Sequence, residues 1–337
     1  MKKNFLFRLS AIAMSLILVA CGGSTSEDVV ENETTAIESE ESLNVVVTTP
    51  MLGEFVKQVA GDSVVLDILM PAEADPHTYD PSPQDAAKIA DADIVLYVGI
   101  KYETSSLLKL IENTASTNAT LLEIGEEIDP IEFIDGERDH GHHDDHDEEG
   151  HEGHEGHDHG SEDPHFWFDP VRVAMAVEVI KDSLVSLDPA NSSTYEANAD
   201  NFISELTDLD AQVKELIESV SEDNRKIVTT HEALGYLEAR YGIEVFATII
   251  PSLSTADEIS PSQIADVIDV IEDNNIKVLF VESEAPSVYA ETVAAEAGIT
   301  AVTGLYVETL KDGQTYSDFL ISNVTLIVES LNSAGEG

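Results

Sequence analysis

The segment that decides the fold is "DPANSSTYEANADNFISELTDLDAQVKELIESV", residues 188–220. It opens with Asp188 and Pro189, two residue types that favour the start of a helix. Apolar side chains then recur at the spacings of three and four that define an amphipathic helix. These are Phe202, Leu206, Leu209, Val213, Leu216 and Val220. A helix of about 30 residues is roughly 45 Å long, more than one small domain needs. We therefore predict that it links two lobes.

Short apolar runs rich in β-branched residues alternate with helical patterns on both sides of this segment. The runs before it lie at residues 43–49, 64–70, 93–100 and 119–124. The runs after it lie at residues 226–230, 245–250, 277–283 and 300–305. Strands that alternate with helices form parallel sheets with crossover connections. The predicted fold class is therefore α/β, with two Rossmann-like lobes joined by one long linking helix.

The first residues have a different character. Lys2, Lys3 and Arg8 accompany a short apolar run at residues 9–20, as in a secretory signal peptide. Cys21 follows a small residue and precedes two glycines, which predicts a lipoprotein cleavage site with Cys21 as the lipidated residue. Because Cys21 is the one cysteine of the chain, no intrachain disulfide can form. The sequence thus predicts an extracytoplasmic protein of the cell envelope, attached to the membrane by lipid.

Together these patterns divide the chain into predicted segments. They are a signal peptide (1–20), a lipidated cysteine with a disordered acidic tether (21–42), an N-terminal lobe (43–187) that contains a histidine-rich loop (137–163), the linking helix (188–220) and a C-terminal lobe (221–337).

The chain is strongly acidic, with 67 acidic and 16 basic residues and a formal net charge of -51. Such a charge argues against binding nucleic acid or anionic lipid headgroups, and it is compatible with attracting cations. We interpret most of it as adaptation to a salty medium, in which salt screens the self-repulsion.

The histidines fall into two classes, one concentrated and one dispersed. The concentrated class lies in "DHGHHDDHDEEGHEGHEGHDHG", residues 139–160, which has too few apolar side chains to form a core. Its members are His140, His142, His143, His146, His151, His154, His157 and His159. We expect a mobile loop that binds several Zn²⁺ ions weakly, because neighbouring carboxylates favour the protonated imidazole and no rigid geometry favours the metal. The loop would raise the local zinc concentration or sense excess zinc; the alternative is a solvated acidic linker.

The three dispersed histidines each lie in a motif of their own. His77 is in "DPHTYDPSPQD" after the second predicted strand, and His165 is in "DPHFWFDP", where the chain returns from the histidine-rich loop. His231 is in "TTHEALGYL", at the carboxyl end of a predicted strand. Ligands of open α/β sheets bind at the carboxyl ends of the strands, so these residues point to a metal site in the cleft between the lobes. A zinc-protease motif would need a second histidine at position 235, which is Gly235.

These three motifs resemble those of the cluster A-I solute-binding family, the metal-binding lipoproteins of bacterial ABC importers. "HTYDPSPQD" is similar to the first ligand motif of the family, "HFWFDP" to the second with Phe168 in place of leucine, and "TTHEALGYL" to the third. The resemblance extends from Leu43 to about Leu331. It implies two lobes, a rigid linking helix and a metal ion between the lobes. It also implies an ABC permease and its cytoplasmic ATPase as partners, and we expect the protein itself to be a monomer.

The resemblance further implies a carboxylate ligand in the loop after the last strand. Glu308 in "TGLYVETLKDG" fits this position, and water is the alternative fourth ligand. Three imidazoles and one oxygen favour Zn²⁺, whereas Mn²⁺ prefers more carboxylate ligands. Manganese members of the family typically have glutamate where this chain has His231. Affinity order alone does not exclude copper or nickel.

We therefore predict a high-affinity zinc receptor of an ABC transporter that is not an enzyme. Its predicted metal ligands are His77, His165, His231 and Glu308. The alternatives are a manganese or iron receptor of the same family, a zinc buffer or adhesin, and a zinc-dependent hydrolase with Glu232 as general base.

Overall fold

The computed structural model describes residues 42–133, 162–257, 259–284 and 288–335. These residues belong to one compact unit that begins at Ser42. The predicted signal peptide, Cys21 and the eight histidines of the predicted loop lie outside the described residues. No helix in the described part of the chain has the length and apolar character that a membrane span requires.

The first lobe contains a parallel sheet with the strand order β2-β1-β3-β4. Its strands are β1 (Leu43–Val47), β2 (Val64–Ile68), β3 (Ile94–Tyr97) and β4 (Thr120–Glu123). Its helices are α1 (Pro50–Ala60), α2 (Pro83–Asp91), α3 (Ser105–Thr114) and α4 (Pro170–Leu187). Helices α1, α2 and α4 each begin with a proline after a capping residue: the side chains of Thr49, Ser82 and Asp169 accept the free backbone N–H groups of the first turn.

The second lobe repeats this arrangement with the strand order β6-β5-β7-β8. The long helix α5 (Ser192–Glu218) precedes it. Its strands are β5 (Lys226–His231), β6 (Glu244–Ile250), β7 (Val278–Glu282) and β8 (Thr300–Leu305), and its helices are α6 (Gly235–Tyr241), α7 (Pro261–Asp273), α8 (Ala290–Ala297) and α9 (Tyr316–Gly335). The predicted fold class, α/β with two parallel sheets, is confirmed.

The two lobes share a central core. Alternate residues of each strand face opposite sides of the sheet, so Val45 and Val47 of β1 lie in the central core while Val46 faces α2 and α3. In the second sheet, Ile227 likewise faces the central core and Val228 faces α7 and α8. The central core also includes residues of α1, α4, α5 and α9, so it extends across both lobes.

Helix α5 connects the lobes and packs against α1 and α4 of the first lobe and α9 of the second. At 27 residues it is about 40 Å long. It begins later than the sequence pattern suggests, because Pro189–Asn191 forms a separate 3-10 turn. The buried stripe follows the helical repeat: Tyr195, Ala199, Phe202, Leu206, Leu209, Val213 and Ile217. The carboxyl ends of β5 and β7, where the second sheet reverses its strand order, lie at the candidate site described next.

Candidate metal centre

Four side chains from separate parts of the chain converge on one point. His77 lies between β2 and α2, His165 lies just before the 3-10 turn that precedes α4, His231 is the last residue of β5, and Glu308 follows β8. One nitrogen or oxygen atom from each of the four lies within 4.8 Å of the others. Within the described ranges, these are the residues with metal-ligand chemistry that meet in this way. The structure thus brings together the four residues that the sequence singled out.

The converging atoms are buried and lack ordinary partners. Oε1 of Glu308 lies 2.8 Å from Nε2 of His231 and 3.5 Å from Nε2 of both His77 and His165. Apart from these contacts with one another, the three nitrogens and the two carboxylate oxygens of Glu308 have no hydrogen-bond partner among the described residues. Buried polar atoms without partners are costly, so five together need an explanation. A cation that all four residues ligate provides one, since nitrogen lone pairs and a carboxylate are its natural ligands.

Two of the imidazoles are oriented by carboxylates on the opposite side of the ring. Nδ1 of His165 lies 2.7 Å from Oδ1 of Asp163, and Nδ1 of His231 lies 2.5 Å from Oε2 of Glu282. Each of these carboxylates also accepts the backbone N–H of the same histidine, at 2.9 Å and 3.0 Å. In the neutral ring, a carboxylate at Nδ1 favours the tautomer with its proton there and leaves the lone pair of Nε2 directed into the site.

His77 is oriented differently. Its backbone N–H donates to Oδ1 of Asp75 at 2.9 Å, and Oδ2 of Asp75 accepts a hydrogen bond from Thr255, 2.7 Å away in the second lobe. The His77 ring contacts the rings of Tyr102, His165 and His231 at near-perpendicular angles. The residue as a whole is 9% exposed, but the His77 side chain is only 2% exposed, so its ring is enclosed like those of His165 and His231.

The segment that carries Glu308 is fixed by side chains from both lobes. Residues 306–309 lie beyond the end of β8. The carboxylate of Glu284 accepts their backbone N–H groups at positions 307, 308 and 309, at 3.1–3.3 Å from Oε1. From the first lobe, Tyr102 donates its hydroxyl to the carbonyl oxygen of Glu308 at 2.8 Å, and Trp167 donates its indole N–H to that of Val307 at 2.7 Å.

The pKa values reflect an excess of carboxylates around the three rings. Burial would lower the pKa of His165, yet the carboxylates of Glu308 and Asp163 raise it to about 9. Burial opposes the shift of His231 too, but Glu282 and Glu308 raise its pKa well above the usual value. For Glu308, burial alone would raise the pKa, and the neighbouring His165 and His77 bring it well below the ordinary value. In the metal-free protein, protons therefore compete with a cation for the same atoms.

The pKa of Glu284 is shifted in the opposite direction from that of Glu308. Burial, followed by the nearby charge of Glu308, raises the pKa of Glu284 to about 8, although backbone N–H groups partly offset this. Four carboxyl groups thus surround three imidazoles: Asp163, Glu282, Glu284 and Glu308. A divalent cation would relieve the mutual repulsion of this cluster.

The residues that orient the candidate ligands were not among those predicted from the sequence. Asp163 had a signal in the sequence that could have identified it, because the tripeptide Asp-Pro-His occurs both at 75–77 and at 163–165. Glu282 had a weaker one, as it ends β7 beside the strand that His231 ends. Glu284 and Tyr102 had none. Helix α6 begins at Gly235, after a turn in which the backbone N–H of Ala233 donates to the carbonyl oxygen of His231 at 3.1 Å.

Comparisons with known proteins place the chain among metal-binding transport proteins. The family model described as zinc-uptake complex component A, periplasmic (ZnuA), matches residues 45–330. The manganese-binding lipoprotein MntA of Halalkalibacterium halodurans is 27% identical over 98% of this chain and 99% of its own length. The iron ABC transporter substrate-binding lipoprotein MtsA of Streptococcus pyogenes serotype M1 is also 27% identical over 98% of this chain and 99% of its own length.

A solved structure confirms the fold independently of these sequence matches. The periplasmic zinc binding protein TroA from Treponema pallidum superposes with a TM-score of 0.73 over 85% of this chain and 98% of its own, at 24% sequence identity. At that identity the likeness supports the two-lobe architecture alone.

Proposed function

Because the chain belongs to the periplasmic zinc-uptake complex component A family, we propose that it is the substrate-binding lipoprotein of an ABC importer and that its substrate is Zn²⁺. One observation carries the proposal: three imidazole nitrogens and a carboxylate converge in the protein interior, and among the described residues they have no hydrogen-bond partners other than one another. In this function His77, His165, His231 and Glu308 are the four ligands. The protein releases the ion to a membrane permease, which the cytoplasmic ATPase drives.

The donor set supports zinc over the other divalent metals. Three nitrogen ligands and one oxygen ligand in a closed site suit the tetrahedral preference of Zn²⁺. Mn²⁺ prefers more oxygen ligands and a higher coordination number. The relatives MntA and MtsA are named for manganese and iron, so a manganese or iron receptor is the second candidate.

Metal analysis separates these two candidates. Protein purified without added metal should contain about one zinc per chain, and a competing chelator should leave zinc bound while it removes manganese or iron. Retention of manganese or iron against excess zinc would overturn the zinc assignment and leave the receptor function intact. Loss of zinc-limited growth after deletion of the gene, with recovery on zinc supplementation, would support import over a zinc buffer or adhesin.

The site has the character of a binding site rather than a catalytic centre. A zinc hydrolase requires an open coordination position for water and a general base beside it. Here the four candidate ligands are buried, and the carboxylate of Glu232 accepts a hydrogen bond from Thr248 at 3.1 Å. These contacts favour retention and release of the ion over chemistry on a substrate.

The proposed function also includes membrane attachment and an auxiliary metal segment, both outside the described residues. Cys21→Ser should transfer the protein from the membrane to the soluble fraction. Glu132 and Glu162 pair in an antiparallel bridge, so a deletion of residues 139–160 leaves the two ends of the segment joined. That deletion should remove the weak sites from a zinc titration and preserve one tight site. Loss of tight binding in a folded protein would instead make the loop the primary site.

A further inference from the structure

The backbone around Glu308 lacks a sheet or helix partner and is satisfied by side chains. Peptide groups that leave a strand inside a protein need partners, because a buried unpaired N–H or C=O is costly. At Tyr306 the amide of Asn323 supplies both contacts, donating to the carbonyl oxygen at 2.7 Å and accepting from the N–H at 3.0 Å. At the next three residues, one carboxylate accepts every N–H: that of Glu284.

The carbonyl oxygens and the N–H groups of residues 307–309 have hydrogen-bond partners from different lobes. The carbonyl oxygens of Val307 and Glu308 accept hydrogen bonds from Trp167 and Tyr102 of the first lobe. The N–H groups instead donate to Glu284, which follows β7 of the second lobe. If the lobes separate to release the ion, the contacts from the first lobe must break, whereas those of Glu284 need not.

We propose that Glu284 is the positioning residue that keeps Glu308 directed at the metal, so that the second lobe retains Glu308 and His231 as a preformed half of the site. This inference rests on the proposed function. Glu284 is not itself a ligand here, because its Oε1 is directed at the three N–H groups and Oε2 lies 3.4 Å from the N–H of Val307. Its effect on the metal is exerted through the peptide groups on both sides of Glu308.

A double-mutant cycle in the full-length protein tests the assignment. Glu284→Ala should weaken zinc binding by about 10- to 100-fold, the range typical of lost outer partners of a metal ligand. The double variant Glu284→Ala with Glu308→Ala should bind no more weakly than Glu308→Ala alone, since one residue acts through the other. Glu284→Gln keeps a carbonyl oxygen as acceptor and should recover most of the affinity. Glu296→Ala, which removes an exposed carboxylate from α8, is the matched control.

A spectroscopic measurement distinguishes positioning from a general loss of stability. Zinc-edge X-ray absorption of Glu284→Ala should differ from that of the wild-type protein in the same way as Glu308→Ala does, with the imidazole contribution unchanged. Additive losses in the double variant, or a wild-type spectrum for Glu284→Ala where that of Glu308→Ala is altered, would overturn the role of Glu284. A wild-type protein without tight zinc binding would overturn the proposed function instead. Tight wild-type binding that Glu308→Ala weakens and Glu284→Ala does not would overturn this inference alone.

Discussion

The tripeptide Asp-Pro-His occurs twice in the first lobe, at residues 75–77 and 163–165, and the two copies differ in their surroundings. In both, the aspartate accepts the backbone N–H of the histidine two residues later at 2.9 Å. The aspartate of the second copy also contacts the histidine ring at 2.7 Å. The aspartate of the first copy instead uses its other oxygen to accept a hydrogen bond from Thr255 of the second lobe.

This difference shows which part of the histidine geometry depends on the tripeptide alone and which part depends on its neighbours. The turn from aspartate to histidine forms in both places, because it needs only the tripeptide itself. The direction of the ring depends on neighbours that the tripeptide does not contain. In the second copy the Asp163 side chain contacts the His165 ring, and the carbonyl oxygen of Asp163 accepts the hydroxyl of Tyr236 in the second lobe at 2.9 Å. Both copies therefore contact the second lobe. One copy uses its aspartate side chain to orient the ligand ring, and the other uses it to contact the second lobe.

The largest expected difference between the copies comes from removing each imidazole. His165→Ala deletes a buried ligand. It should weaken zinc binding by more than roughly 100-fold, which is the largest loss typical of removing a residue that only orients a ligand. His77→Ala should cost less, since the Asp75 carboxylate bonds to Thr255 rather than to the His77 ring, and a carboxylate that orients the ring strengthens a histidine ligand. Competition with a chelator of known affinity measures both, and His151→Ala in the acidic segment serves as the control. Equal losses would show that the ring contact of Asp163 does not strengthen His165 as a ligand.

A smaller difference is expected from the two aspartates. In Asp163→Asn and Asp75→Asn the amide oxygen can still accept the backbone N–H, so both turns should persist. Asp163→Asn should reduce zinc affinity by about 10- to 100-fold, because it weakens the contact that orients the His165 ring. Asp75→Asn should change affinity less and accelerate zinc dissociation, because it perturbs the contact between the lobes. Asp80→Asn, an exposed change in the same loop, is the control; a larger loss for Asp75 than for Asp163 would contradict the comparison.

The ring contact in the second copy also predicts a pH dependence. The pKa of His165 is raised from 6.5 to about 9 in the metal-free protein, so at neutral pH zinc must displace a proton. Affinity should therefore fall as pH decreases, by up to about tenfold per pH unit for each proton released. Calorimetry at pH 7 in buffers of different ionisation enthalpy counts these protons. Asp163→Asn should release fewer, and an unchanged count would refute the role of this carboxylate.

The same shift has a consequence for stability. A group whose pKa is higher in the folded state stabilises that state fully below its unfolded value and loses this contribution as pH rises through the folded value. For His165 the window lies between 6.5 and about 9. The metal-free protein should thus lose thermal stability as pH rises across this window, whereas the zinc-loaded protein should lose less.

Much of the fold could be predicted because its signals are local. The β-branched runs predicted both sheets, and the spacing of Phe202, Leu206 and Leu209 predicted the long helix. Its start was placed too early, because the pattern of apolar residues does not reveal that Pro189–Asn191 forms a separate turn.

The convergence of His77 and His231 could also be anticipated, since they lie at or after the carboxyl ends of strands in the two sheets, whereas Glu308 was anticipated from the resemblance to the family. Their supporting carboxylates could not. Glu282 lies 51 residues from His231, and Glu284 lies 24 residues from Glu308. In a chain with 67 acidic residues, neither spacing nor composition distinguishes these two from solvated glutamates. Only the pairing of β7 with β5 and β8 brings them to the site.

The smallest expected effect comes from the one hydroxyl that distinguishes the first Asp-Pro-His copy. Thr255→Val removes the donor to Asp75 and nearly preserves side-chain volume, so the loop at His77 should lose a contact with the second lobe and keep its own turn. Loss of one hydrogen bond to a charged group costs about 1.5–3 kcal/mol. Solvation of the partly buried Asp75 carboxylate should offset much of this cost. We therefore expect a few-fold faster zinc release with little change in the association rate, measured by stopped-flow chelation. Thr255→Ser retains the hydroxyl and should restore the wild-type rate. If Thr255→Val releases zinc at that rate too, then the Asp75–Thr255 contact does not couple His77 to the second lobe, and the two copies differ only in the orientation of their rings.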